Sequence, residues 1–155
     1  CEIANHNSSE QIVISGHTKA VQELVNNSAE FSIKRAVLLN VSAPFHCSLM
    51  MPAQIILKNE LREITFNDPD LPIICNYTAV AENNPLKLKE NIINQVTNKV
   101  RWKETMEYAL DKKINKVLEC GSGKVLSGLF KRFSKDLDVY NLETIEDLKK
   151  IEIWN

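Results

Sequence analysis

The residues of this sequence that could do chemistry centre on one histidine, His46. A neutral imidazole has a free ring nitrogen that can accept a proton from an alcohol or a thiol near pH 7. The next two residues, Cys47 and Ser48, carry nucleophilic side chains, but residues adjacent in sequence rarely acquire the geometry of a nucleophile and its base. Two interpretations of His46 stay open on position alone: a general base, or a turn histidine that makes one backbone hydrogen bond.

Two elements must position His46, one on each side of it. Upstream, the apolar residues 36–41 predict a β-strand, and Pro44 forces the residue before it out of the helical region. Downstream, Pro52 suits the first turn of a helix, where its missing N–H group would have no partner. Apolar residues then recur at helical spacing, at Ala53, Leu57, Leu61 and Ile64. The pattern predicts that His46 lies directly before a helix N-terminus, whose dipole disfavours an imidazolium.

Composition excludes several classes of function. The chain has 155 residues, of which 44% are hydrophobic and 25% charged, as in an ordinary soluble globular protein. Its net charge of −1, with basic residues interleaved among acidic ones, argues against nucleic-acid binding. We find neither an apolar run long enough for a bilayer nor a secretory leader, and we expect a cytoplasmic location with no membrane partner.

The four cysteines give no sign of a disulfide framework or a metal site. Cys1, Cys47, Cys75 and Cys120 are widely spaced, with no C-x-x-C pair and no histidine at zinc-finger spacing. Buried free thiols are the simpler interpretation for Cys75 and Cys120, because each ends an apolar run.

Strand and helix patterns alternate along the chain, which predicts an α/β fold. The predicted strands are residues 11–15, 36–41, 71–76, 116–120 and 138–142. The predicted helices begin at Thr18 and Pro52 and cover residues 86–96, 102–110 and 144–151, with a further helix after the glycine turn at residues 121–124. That turn lacks the Walker spacing, so nucleotide binding is not predicted. Arg101 and Glu104 stand at helical spacing and predict a surface ion pair.

Residues 42–53, Ser-Ala-Pro-Phe-His-Cys-Ser-Leu-Met-Met-Pro-Ala, resemble the active-site histidine segment of the malonyl-CoA:acyl carrier protein transacylases. The resemblance extends in the family's order through residues 5–8, 11–17, 34–36, 96–102, 121–129 and 131–132. It implies an α/β fold made of two parts. Residues 1–43 would be the remainder of a ferredoxin-like small subdomain, and residues 44–155 the C-terminal part of an α/β-hydrolase-like acyltransferase domain.

The same resemblance implies roles for four residues. His46 would be the base in both acyl transfers, and the backbone carbonyl of Gln95 would orient its other ring nitrogen. Phe45 would favour malonyl over methylmalonyl by steric exclusion, and Asn7 would lie near the acyl pocket. From the residues alone, a solvated helix glutamine is an equal interpretation of Gln95, and an Asx turn is an equal interpretation of Asn7.

Other motifs of the family do not occur in this sequence. Its serine nucleophile on a Gly-His-Ser-x-Gly elbow, its malonyl-binding arginine and its Gln-rich oxyanion loop belong to a half that would precede Cys1. We therefore expect a C-terminal portion that is inactive alone. Its partners would be malonyl-CoA, an acyl carrier protein bearing phosphopantetheine, and an N-terminal transacylase half, with no resident cofactor or metal. The alternative is a non-catalytic remnant or binding module that retains the fold.

Overall fold

The computed structural model describes residues 1–149 and divides the chain into two compact units, Cys1–Thr105 and Met106–Asn155. The subdomain boundary that we predict after residue 43 stays a prediction. Residues 150 and 151 of the last predicted helix lie outside the described residues. Within the described part of the chain, no helix is long and apolar enough to cross a bilayer.

The first unit opens with an antiparallel hairpin of strands β1 (Glu2–His6) and β2 (Ile12–Ser15). Strand β1 was missed by the sequence analysis, whereas β2 is confirmed. Beyond the hairpin, β1 also pairs with Val100: the Val100 amide donates to the Ala4 carbonyl at 2.8 Å, and the His6 amide donates to the Val100 carbonyl at 2.9 Å. The strand thus joins the start of the chain to residue 100.

Helix α1 (Thr18–Asn26) follows the hairpin as predicted. The prediction of a strand at residues 36–41 is wrong. These residues form no helix or strand, and Val37, Leu38, Leu39 and Val41 are 54–60% exposed. A strand needs a neighbour to accept and donate its backbone hydrogen bonds, and no strand among the described residues pairs with this segment. An apolar run of strand composition is therefore left on the surface.

Two packed helices hold the middle of the first unit. A 3₁₀ turn (Ser48–Met50) leads into α2 (Met51–Glu60), which has Pro52 in its first turn as predicted. The short strands β3 (Ile73–Ile74) and β4 (Ala81–Glu82) pair before α3 (Pro85–Gln95), so β3 covers only part of the predicted strand 71–76. The Asn84 side chain caps α3 by accepting from the Leu86 and Lys87 amides at 3.0 and 3.1 Å.

The second unit is built on a parallel strand pair with a helical crossover. Helix α4 (Trp102–Asp111) runs into it, and strands β5 (Lys116–Cys120) and β6 (Asp138–Leu142) pair in parallel with the bounds that the sequence predicted. Helix α5 (Val125–Phe133) connects the two strands and contacts both. The turn before α5 needs glycine at residue 123, where φ is +84°. The last described helix is α6 (Ile145–Leu148).

Candidate active site

His46 lies half-buried at the turn that precedes the 3₁₀ turn and α2. Its backbone φ is +61°, in the left-handed region that costs an L-residue on the order of 1 kcal/mol. Such a conformation persists when neighbouring contacts determine it. The turn is therefore held in place by the groups around it, and these groups identify the site.

The first of these groups is the backbone carbonyl of Gln95. His46 Nδ1 lies 2.8 Å from the Gln95 carbonyl oxygen. A carbonyl can only accept, so Nδ1 carries the proton of the neutral ring and Nε2 keeps a free lone pair. Gln95 is the last residue of α3, and carbonyls in the last turn of a helix have no partner within the helix. The end of α3 therefore provides an acceptor that the histidine uses.

The side chain of Gln95 supports the same arrangement. Its Nε2 donates to the Asn98 carbonyl at 2.7 Å and lies 3.4 Å from His46 Nδ1, while its buried Oε1 has no hydrogen-bond partner among residues 1–149. The short bond to Asn98 assigns the amide orientation, and the 2.8 Å contact from Gln95 to the ring is the backbone one. Gln54 Nε2 donates to the Ile93 carbonyl at 3.0 Å and so joins α2 to the last turn of α3.

The side chains of Cys47 and Ser48, which follow His46 in sequence, form hydrogen bonds with groups other than the His46 ring. Cys47 is fully buried, and its thiol donates to the Pro44 carbonyl at 3.1 Å. The Ser48 amide donates to Glu2 Oε1 at 3.0 Å, and the Ser48 hydroxyl donates to the same oxygen. These bonds from Ser48 lower the pKa of the Glu2 carboxyl. Sequence reasoning missed Glu2, because nothing local connects a residue in β1 with the histidine turn.

The other two predicted site residues lie in different surroundings. Phe45 precedes His46 and is 46% exposed. Asn7 stands in the turn between β1 and β2, where its backbone amide donates to the Gln11 carbonyl at 3.1 Å. The side-chain hydrogen bond of that turn is made by Ser8, whose hydroxyl accepts from the Glu10 amide at 3.2 Å. In the described part of the chain, no hydrogen bond joins Asn7 to His46 or Gln95.

A cleft of about 460 Å³ is lined by Tyr77, Thr78, Asn98, Lys99, Arg101 and Glu104. The predicted ion pair between Arg101 and Glu104 is confirmed there, with Arg101 Nε 2.9 Å from Glu104 Oε2. Arg101 Nη1 also donates to the Thr78 carbonyl at 3.1 Å. The Arg101 guanidinium lowers the pKa of Glu104, and the carboxylate raises the pKa of Arg101 in return. Arg101 is thus occupied by intramolecular partners.

The glycine turn before α5 is likewise occupied by a side chain. Burial raises the pKa of Glu119, but hydrogen bonds from Ser127, Leu126 and Asn141 outweigh burial and lower it. The Leu126 and Ser127 amides donate to this carboxylate at 3.0 and 2.8 Å. These amides are the ones that a phosphate would use at a helix N-terminus. Among residues 1–149, no cluster of three or more His, Cys, Asp or Glu side chains could hold a metal ion.

Comparison with curated proteins gives long matches to one kind of enzyme. No family model matches the chain. The chain is 34% identical over 154 residues to the malonyl CoA-acyl carrier protein transacylase of Staphylococcus aureus, covering 99% of this chain and 49% of that protein. It is 40% identical over 146 residues to the protein of that name from Bacillus subtilis, covering 94% of this chain and 36% of that protein. The chain spans about half the length of the staphylococcal relative.

Solved structures give the same result for the fold. The acyl-carrier-protein S-malonyltransferase of Bartonella henselae matches with a TM-score of 0.91 and 42% identity, over 97% of this chain and 48% of that one. A malonyl-transacylase in complex with its type II polyketide synthase acyl carrier protein matches with a TM-score of 0.92 and 33% identity, over 99% of this chain and 50% of that one.

Fold and sequence together define a partial α/β acyltransferase domain. More specifically, the chain matches malonyl CoA-acyl carrier protein transacylases over nearly its whole length, as a segment about half as long as the staphylococcal relative.

Proposed function

We propose that this chain supplies the general base of a malonyl-CoA:acyl carrier protein S-malonyltransferase. The observation that carries the proposal is the 2.8 Å contact between His46 Nδ1 and the Gln95 carbonyl. This contact holds the ring in the tautomer whose Nε2 can accept a proton, the role that a carboxylate plays in hydrolytic triads. A carbonyl achieves the same orientation without adding a negative charge.

The proposed reaction consists of two acyl transfers through one serine ester. Nε2 of His46 takes the proton of a serine hydroxyl as the serine oxygen attacks the malonyl thioester, and the proton then passes to the departing coenzyme A thiolate. In the second transfer, Nε2 deprotonates the phosphopantetheine thiol of acyl carrier protein. That sulfur attacks the malonyl-serine ester, and the serine oxygen recovers the proton. Every step is a proton or acyl transfer, so the proposal needs no resident cofactor.

We infer that the serine comes from a transacylase half outside this chain, and that the chain alone is inactive. The staphylococcal relative is about twice as long as the matched segment, and the sequence contains no Gly-His-Ser-x-Gly elbow. The exposed apolar run at residues 36–41 supports a partner of this kind. A neighbouring strand would cover its apolar side chains and would form hydrogen bonds with its backbone N–H and C=O groups. The remaining half of the domain is the partner that the relatives' length indicates.

Phe45 and Asn7 are the proposed substrate-side residues. Phe45 is partly exposed next to the base, where its ring could exclude an additional methyl group on the acyl chain, an effect worth about 1–3 kcal/mol. Asn7 would offer its amide to the acyl group from the turn after β1. Its side-chain amide has no hydrogen bond among residues 1–149 that would compete with this role.

Acyl carrier protein is the proposed acyl acceptor. A matching transacylase was solved in complex with its acyl carrier protein, which supports a partner of this class. The alternative, a fold that binds the carrier without transferring malonyl to it, predicts capture of acyl carrier protein by a chain that remains inactive after its missing half is supplied.

The test uses a completed enzyme, in which this chain replaces the matching half of the Staphylococcus aureus relative. We expect this enzyme to transfer malonyl from malonyl-CoA to acyl carrier protein, and His46→Ala to lower kcat by about 10²–10⁴-fold. His17→Ala is the matched control, because His17 is exposed at the start of α1 and makes no side-chain capping bond. Transfer by the His46→Ala enzyme at the control rate would refute the proposal.

A further inference from the structure

The helix that follows His46 begins without a cap of its own. Cys47 occupies the N-cap position of the 3₁₀ turn, makes no side-chain capping bond, and is followed by no acidic residue in the first turn. Met50, the N-cap of α2, also makes no side-chain capping bond. The amide groups at a helix start need acceptors, and the positive end of the helix favours an anion there.

The missing acceptor comes from Glu2, 46 residues earlier in the chain. Its Oε1 accepts both the amide and the hydroxyl of Ser48. Glu2 stands in β1, which is anchored on one edge by β2 and on the other by Val100. The carboxylate therefore connects the residue two positions after His46 to a strand that is itself held on both edges.

We propose that Glu2 is a positioning residue for His46. The proposal rests on the proposed function, because positioning matters to catalysis only if His46 is the base. The histidine turn is held from two sides: the Gln95 carbonyl binds the ring, and Glu2 binds the backbone just after it. Without the carboxylate, the left-handed backbone of His46 loses one of the contacts that determine it, and the ring leaves the Gln95 carbonyl for part of the time.

The variants are chosen to separate the acceptor from its charge. Glu2→Ala removes the acceptor, and Glu2→Gln retains an acceptor oxygen without the charge. Glu10→Ala is the matched control: Glu10 lies exposed in the turn of the same hairpin, and its backbone amide makes the local hydrogen bond to Ser8. Each variant is made in this chain and also in the completed enzyme.

Two NMR measurements on the chain, without substrate, test the contact and its consequence. Amide hydrogen exchange at Ser48 reports the bond to Glu2, and the imidazole ¹⁵N shifts report the tautomer of His46. For Glu2→Ala we expect amide exchange at Ser48 to become about tenfold faster, because a charge-assisted hydrogen bond is lost. We also expect the His46 ring to change from the Nδ1–H tautomer alone to a mixture of both tautomers. Glu2→Gln should recover part of both effects, and Glu10→Ala should match the wild type.

In the completed enzyme, we expect Glu2→Ala to lower kcat about tenfold with KM for malonyl-CoA unchanged, because the base is misplaced and binding is not. Faster exchange at Ser48 with an unaltered His46 tautomer would make Glu2 a helix cap only and overturn the proposal. Unaltered exchange would overturn it as well. Because the NMR comparison needs no turnover, a completed enzyme that fails to transfer malonyl would count against the proposed function separately.

Discussion

Replacing Gln95 by alanine should have little effect on catalysis, although its carbonyl orients the proposed base. The contact to His46 Nδ1 is made by the main chain at 2.8 Å, and alanine has the same carbonyl. This expectation differs from that for a hydrolytic triad, in which the orienting group is a side chain and its replacement costs about 10⁴-fold in kcat. Gln95→Ala therefore distinguishes backbone from side-chain orientation of the ring.

The magnitude follows from the bonds that the side chain makes. The substitution removes one neutral hydrogen bond, from Nε2 to the Asn98 carbonyl at 2.7 Å, worth about 1 kcal/mol. It also removes the buried, unpaired Oε1, which offsets part of that loss. Alanine is a good helix former at the end of α3. We expect the free energy of unfolding to change by no more than about 1 kcal/mol and kcat/KM to fall by less than about tenfold.

The assay measures kcat/KM for malonyl transfer by the completed enzyme with wild-type sequence, Gln95→Ala and His46→Ala, with urea unfolding of each chain. Gln22→Ala is the matched control, because this helical glutamine also gives up one side-chain hydrogen bond, to Asn26 in α1. If Gln95→Ala loses nearly as much activity as His46→Ala while remaining folded, the side chain is essential and the backbone argument is refuted.

Three further predictions concern stability and association. Because the pKa of Glu119 is lowered in the folded state, its carboxylate stabilises the fold at pH values above the ordinary glutamate pKa, near 4.3. This contribution is lost as the pH falls through the folded pKa. Glu119→Gln should therefore make the free energy of unfolding in urea depend less on pH over that interval. Arg101→Ala should lower the free energy of unfolding in urea by about 1 kcal/mol, because the contacts to Thr78 and Glu104 are lost. An unchanged urea midpoint would contradict this. Leu38→Asp should alter stability by less than about 0.5 kcal/mol but weaken association with the other transacylase half in a pull-down; equal capture would contradict the proposed interface.

Helix starts and the parallel strand pair were predictable because their signals are local. Pro52 lies in the first turn of α2, and the Asn84 side chain caps α3 directly before Pro85. Both signals depend only on residues next to the start of the helix. The bounds of β5 and β6 also agree with the sequence pattern, since one crossover helix joins two apolar runs that pair with each other. These features need only short stretches of chain.

Strands that depend on distant partners were not predictable in the same way. Residues 36–41 have strand composition but no partner strand among the described residues, whereas β1 forms because β2 and Val100 satisfy its two edges. Composition records the tendency of a segment to extend and not the presence of a neighbouring strand. The wrong strand at residues 36–41 and the missed strand β1 therefore have the same cause.

For the site, the sequence was sufficient to select His46 as the candidate base and to place it before a helix, because proline and apolar spacing are properties of adjacent residues. Folding was needed to bring the Gln95 carbonyl to its ring across 49 positions and Glu2 to Ser48 across 46. Every residue has a backbone carbonyl, so the sequence does not mark the one that binds the histidine. The partner of a carboxylate depends on how strands and helices pack. Such contacts are set in three dimensions by the ends of α3 and β1.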